Sequence, residues 1–253
     1  MSSAPMSSPA AVFIPDTAST RHYIGAWSVL SVLQYFVAET AVIGGWAGPQ
    51  PYSRRTGYIS DLGALHCGIF DGRDVCSPLH WLMNLSFVVQ GLGMLLGALL
   101  LSSGLLCVAA RPGATVHRGR RKPWLAALWV RLLAGTAGAG TMIVGLVPED
   151  LGSAWHYTGA LMYFIAGSLA VLVLGVLWLQ QTPLGWFVLV CGLASFAALV
   201  TGGLTRMHVP EPGTLERLMG YPVTVGVAAT GLVIAQRVHR HRREVRALAA
   251  ARA

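Results

Sequence analysis

The sequence predicts an all-α integral membrane protein: a bundle of six transmembrane helices with both termini in the cytoplasm. Three observations carry that reading. The 253 residues are 54% hydrophobic and only 11% charged, too apolar and too charge-poor for an ordinary soluble domain. Six runs reach the length that a membrane span needs, about 20 mostly apolar residues. Lys and Arg gather on alternate connections, and that bias sets orientation.

Residues 1–22 are rich in Ser, Pro and Ala and are expected to form a disordered cytoplasmic segment. The apolar run that follows is too long for the core of a secretory signal. The membrane domain is expected over residues 23–237, with spans at Tyr23 to Trp46, Leu79 to Val108, Trp124 to Val147, Trp155 to Leu179, Gly185 to Met207 and Leu218 to Arg237. Because lipid offers the backbone no partners, these spans must be helices. The second run exceeds a span and is expected to tilt or project from the bilayer. Small residues on the third run (Ala134, Gly135, Gly138, Ala139) and the fifth (Gly202, Gly203) are expected to let helices approach closely.

One set of connections carries Arg21, then Arg111, Arg118, Arg120, Arg121 and Lys122, then Arg237, Arg240, Arg242, Arg243, Arg246 and Arg252. The opposite set carries Arg54, Arg55, Arg73, Arg206 and Arg217 beside Asp61, Asp71, Asp74, Glu149, Asp150, Glu211 and Glu216. The first set is therefore assigned to the cytoplasm, in the cell membrane. The formal charge of +8 invites a nucleic-acid partner. Yet the basic tail, residues 238–253, directly follows a span and lacks interleaved aromatics. It reads as an anchor for anionic lipid headgroups, and no nucleic acid is expected.

Function is expected at the outer ends of the spans, above all in the long outer loop, residues 47–78, and the helix start after it. Cys67 and Cys76 lie outside the membrane, where a disulfide is permitted and would staple the loop. A zinc site joining them to His66 and His80 fits no standard ligand spacing, so no metal is expected. Glu39 falls about seven residues before the outer end of the first span, roughly 10 Å deep, and an intramembrane carboxylate is a functional candidate by default. His80 and Asn84, four apart, share one helix face. Glu149, His156, Arg206, Glu216 and Arg217 lie at the other outer ends. Glu39, Asp61 and His80 are the candidate acids or bases. Asn84, Glu149, His156, Arg206, Glu216 and Arg217 are the candidate binding groups. For the residues at helix ends, simple exposure to water is the competing explanation. Arg131 is expected to snorkel to the inner surface, and Gln34 and Gln90 to bond between helices. Nucleotide loops, dinucleotide fingerprints, hydrolase elbows, zinc-protease helices and opposed haem histidines are all missing, and no cofactor is expected.

The run Tyr58-Ile59-Ser60-Asp61-Leu62-Gly63-Ala64, then Cys67, then Ser77-Pro78-Leu79-His80-Trp81-Leu82-Met83-Asn84, resembles the bacterial six-span membrane family catalogued as domain of unknown function 998. Gly145-Leu146-Val147-Pro148-Glu149 with His156, and Gly213-Thr214-Leu215-Glu216-Arg217, resemble later blocks of that family. The resemblance spans about Tyr23 to Arg237. It implies that Ser60, Asp61, Gly63, Asn84, Pro148, Glu149, His156, Glu216 and Arg217 form one recurring site, and it implies no settled activity. Three functions compete: a protein that binds a membrane lipid or small amphipathic molecule in an outward pocket, a membrane enzyme doing acid–base chemistry of cyclase or isomerase type on an apolar isoprenoid or lipid substrate, and a small-solute transporter.

Overall fold

The structure, a computed structural model, describes residues 12–13, 16–117 and 121–252. The N-terminal segment expected to be disordered lies largely outside them, as do Arg118 and Arg120 of the basic connection. Six helices are long and apolar enough to cross a membrane: Thr20–Gly44, His80–Leu100, Lys122–Leu146, Ala154–Trp178, Leu184–Thr205 and Pro212–Ala250. We call them the first to sixth spans. The only strands among the described residues are two short hairpin-like pairs, Val12–Phe13 with Val116–His117 and Gly68–Phe70 with Arg73–Val75.

Two spans change pitch partway. The first tightens to a 3-10 turn at Ser31–Leu33, where the Ser31 hydroxyl donates to the Ser28 carbonyl at 2.7 Å. The fourth contains a π turn over Met162–Ala166, which carries Tyr163 into the core between the second and sixth spans. A π turn often re-aims one side chain in this way.

The spans meet at reciprocal glycine crossings. A side chain on Gly91 would collide with the Gly138 carbonyl, and one on Gly138 would lie 2.7 Å from the Gly91 carbonyl. Gly140 and Gly159 do the same for the third and fourth spans, at 2.5 and 2.7 Å. Gly138 belongs to the small face anticipated from the sequence. Gly203 does not serve as anticipated, because open space surrounds it.

The second span is shorter than its hydropathy suggests. It stops at Leu100, Leu101 turns extended, and Ser102 accepts the Leu105 N–H at 3.2 Å to start a separate short helix, Ser103–Cys107. Serine is a preferred residue at such a start. The segment from Leu101 to Ala110 is buried and plugs the basic end of the bundle. Trp178 Nε1 holds the Leu106 carbonyl at 2.8 Å, Gln181 Nε2 the Cys107 carbonyl at 2.6 Å and Arg237 Nη1 the Ala109 carbonyl at 2.5 Å. Arg131 and Arg21 donate to the Ala98 and Leu99 carbonyls at 2.8 and 2.6 Å. They thereby satisfy the orphan acceptors at the end of the second span.

The sixth helix begins at Pro212, before the expected Leu218, and continues through the basic tail to Ala250. Its 39 residues reach about 58 Å, well beyond a hydrocarbon core of about 30 Å. Arg242 donates to the Thr20 hydroxyl at 3.0 Å, so the start of the first span and the far part of the sixth meet at the same end.

Gly91→Val should lower thermal stability in detergent by about 1–3 kcal/mol through overpacking against the third span. Gly203→Ala, in open space, should leave the unfolding temperature unchanged or raise it. Equal losses in the two variants would contradict the crossing described above.

Candidate functional site

The outer loop folds as a roof over the acidic end of the bundle. Cys67 and Cys76 are disulfide-bonded, with sulfurs 2.00 Å apart, and they close the base of the hairpin that carries Arg73. Ser77 Oγ donates to the Leu62 carbonyl at 2.7 Å, and Asn84 Nδ2 to the Gly63 carbonyl at 2.9 Å. Asp150 accepts the Leu65 and His66 N–H groups at 3.0 and 2.9 Å and contacts the His66 ring at 2.8 Å. Burial pushes the Asp150 carboxyl up, and those donated hydrogen bonds outweigh it and hold the group below the usual carboxylate range.

Beneath the roof lies a buried ion pair. Glu39 on the first span is 2% exposed and Arg217 on the sixth 6%. Arg217 Nε and Nη2 reach one Glu39 oxygen at 3.2 and 3.0 Å. The Tyr221 hydroxyl donates to the other. The remaining guanidinium nitrogen faces the carbonyls of Arg54, Gly57 and Gly213 at 2.9 to 3.1 Å, and Nη2 also meets the Tyr52 hydroxyl at 2.6 Å. Burial raises the Tyr52 phenol above the usual tyrosine range, so it stays a neutral partner. Gly213 permits this geometry, since a side chain there would strike the Gly57 carbonyl.

A second cluster sits nearer the surface. Arg73 Nε and Nη2 bond Asp61 at 3.0 and 2.9 Å, Nη2 reaches Glu149 at 3.3 Å, and Nη1 reaches Asp71 at 3.1 Å. The guanidinium lies 4.5 Å from the centre of the Tyr58 ring. Asp61 also accepts the Tyr58 N–H at 2.9 Å, and Glu216 accepts the Ile59 N–H. Burial, and then the neighbouring Asp61 carboxylate, push Glu149 up to about 8. Arg73 at 3.3 Å pulls the other way, and the balance leaves Glu149 with a raised proton affinity. Among the described residues, no group of three or more His, Cys, Asp and Glu is placed to hold a metal.

The second cluster faces a cleft of about 510 Å³. The fourth and fifth spans pack tightly where Gly175 meets Leu189 and Gly192 meets Leu172. Toward their outer ends the cleft lies between them, walled by Leu161, Phe164, Leu199 and Met219 beneath a polar ceiling of Arg73, Glu149, His156, Arg206 and Glu216. A smaller chamber of about 50 Å³ continues inward to Gln90, Tyr163 and Thr224. Both spaces are bordered by Ser60, His156, Ala160, Phe164 and Glu216, so they are adjacent.

Asp61, Glu149, His156, Arg206 and Glu216 are therefore brought together around or above the cleft. Glu39 and Arg217 form the separate pair beneath the roof. His80 is not in the cleft: its ring nitrogen contacts the Ser77 carbonyl at 2.9 Å, at the start of its own helix. Asn84 holds the loop. Arg206 is exposed at the rim, in the left-handed conformation that ends the fifth span, and has no ion-pair partner among the described residues. The sequence assigned no role to Arg73 beyond its charge and none to Thr224, and it did not single out Tyr163 or Tyr221; Tyr52 stood out only as part of the polar loop. Only the position of Gln90, a polar side chain in mid-span, carried a signal.

Glu39→Gln and Arg217→Met should each destabilise the protein by about 3–5 kcal/mol, since each strands a buried charge or its partners. The double variant should lose less than the sum, which unfolding of all three variants in detergent measures. Glu149 predicts a pH dependence as well. Between its ordinary value of 4.5 and about 8 the folded state keeps a proton that the unfolded state has released. Stability should therefore fall as pH rises through that window and level off above it. Glu149→Gln should flatten this slope, and an unchanged slope in thermal unfolding would assign it to other groups.

No similar protein is found among curated proteins, and no similar fold among solved structures. The family model described as Protein of unknown function (DUF998) matches residues 28–233, most of the chain and every residue of both polar clusters. The sequence blocks around Asp61, Glu149 and Glu216 thus fall within a single family unit, and the chain belongs to the DUF998 family of proteins of unknown function.

Proposed function

We propose that this protein binds a lipid or small amphipathic molecule in the outward cleft between its fourth and fifth spans. The observation that carries this reading is the character of the cleft, apolar walls between membrane-length helices under a ceiling of charged side chains. A polar headgroup belongs under that ceiling. Arg206 is free to meet an anionic group, and Glu216 and Glu149 to meet hydroxyls or amines. The concentration of Arg at the plugged end supports a cytoplasmic assignment for both termini, which directs the cleft away from the cytoplasm in the cell membrane.

A second reading, acid–base chemistry on the bound molecule, is favoured by one observation. Glu149 lines the cleft and shares Arg73 with Asp61, and burial and that neighbouring carboxylate raise its proton affinity. Such groups serve as general acids. Glu39, saturated by Arg217 and Tyr221, is better suited to holding the roof than to moving protons.

Ala160→Phe, placed where the cleft meets its inner chamber, should fill that junction without disturbing either polar cluster. Protein purified in mild detergent should carry a bound amphiphile detectable by native mass spectrometry, and the variant should carry far less at equal folding. Equal loads on both proteins would sink the binding reading. Under the second reading, Glu149→Gln should keep the load but abolish a lipid difference between membranes with and without the protein.

A further inference from the structure

The inner chamber is bordered by two open hydrogen-bond acceptors and by Tyr35, whose buried hydroxyl has no partner among the described residues. His156 is 5% exposed, and its Nδ1 lies 2.7 Å from the Val147 carbonyl. A carbonyl only accepts, so Nδ1 carries the hydrogen, and a neutral ring then presents Nε2 as a bare lone pair. That nitrogen has no partner among the described residues, and the ring lines both the cleft and the chamber.

Gln90, 2% exposed, repeats the pattern from the opposite side. Its Nε2 donates to the Tyr163 and Thr224 hydroxyls at 3.1 and 2.9 Å. Those hydroxyls in turn have the Gly220 carbonyl as acceptor, at 3.0 and 3.3 Å. The amide hydrogens are therefore engaged, and Oε1 is left without a partner among the described residues. Buried acceptors are rarely left unmatched.

We propose that the inner chamber receives the hydroxyl end of the bound amphiphile, which donates to His156 Nε2 or Gln90 Oε1. This rests on the binding reading above and names the chemistry of its ligand. A chamber of about 50 Å³ has room for more than one water-sized group, yet only for the tip of a chain. A carboxylate or phosphate tip would face lone pairs and the Glu216 carboxylate. An ammonium tip would pair with Glu216 but offers no acceptor to the unpartnered Tyr35 hydroxyl, whereas a hydroxyl tip both donates to a lone pair and accepts a hydrogen.

The test uses the full chain in nanodiscs and four probes of one chain length: dodecanol, dodecyl methyl ether, dodecylamine and dodecanoate. Their apparent affinities are read from thermal shifts at matched mole fractions. Dodecanol should bind about tenfold more tightly than the ether, a difference of about 1.4 kcal/mol. His156→Phe, which keeps the ring shape and removes one lone pair, combined with Gln90→Met, which removes the other, should bring alcohol and ether to parity. The wild-type series needs no variant to fold. If alcohol and ether bind wild-type protein equally, water satisfies the acceptors, and the hydroxyl inference is overturned while the cleft reading stands. Preference for the amine or the carboxylate also overturns it. If no probe shifts the unfolding temperature, the cleft reading itself fails.

Discussion

The acidic end of this protein depends on one buried ion pair, Glu39 with Arg217. Two charges removed from water would be unstable there unless protein dipoles replaced the lost hydration on every side. That requirement is met by groups from three separate stretches of chain: Glu39 on the first span, the carbonyls of Arg54 and Gly57 in the loop, and Tyr221 with Gly213 on the sixth. The pair therefore does more than join two helices. It dictates where the loop must lie, because the guanidinium is satisfied only when the loop backbone covers it.

The second cluster inherits that placement. Asp61 and Tyr58 follow directly after the anchored Gly57, and Arg73 reaches them from a hairpin tied at its base by Cys67 and Cys76. Asp61, so fixed, raises the proton affinity of Glu149 on a different connection. A chain of constraints thus runs from a saturated deep pair to a carboxyl of raised proton affinity at the wall of the cleft.

The bundle was legible because six long apolar runs have few alternatives to helices in lipid. The break after Leu100 was not, since Leu101 to Val108 is as apolar as a span and burial in protein looks like burial in a bilayer. The crossing faces were half legible. Gly138 stood out among small residues, whereas Gly91 and Gly159 acquire their meaning only from the backbone opposite, which no single stretch of sequence reveals. For the site, charged residues in so apolar a chain advertise themselves, and Asp61, Glu149, His156 and Glu216 do converge. Their pairing did not show. Glu39 and Arg217 lie 178 positions apart, and Arg73 looked like one more loop cation. His80 and Asn84 shared a face with the site by periodicity, but each spends its hydrogen bonds on the loop backbone.

The plug at the basic end has a geometric consequence. The cleft and the segment from Leu101 to Ala110 lie at opposite ends of the bundle, so a molecule in the cleft meets packed side chains before it reaches the basic end. A continuous path through the bundle would require that segment to leave the carbonyl contacts made by Trp178, Gln181 and Arg237.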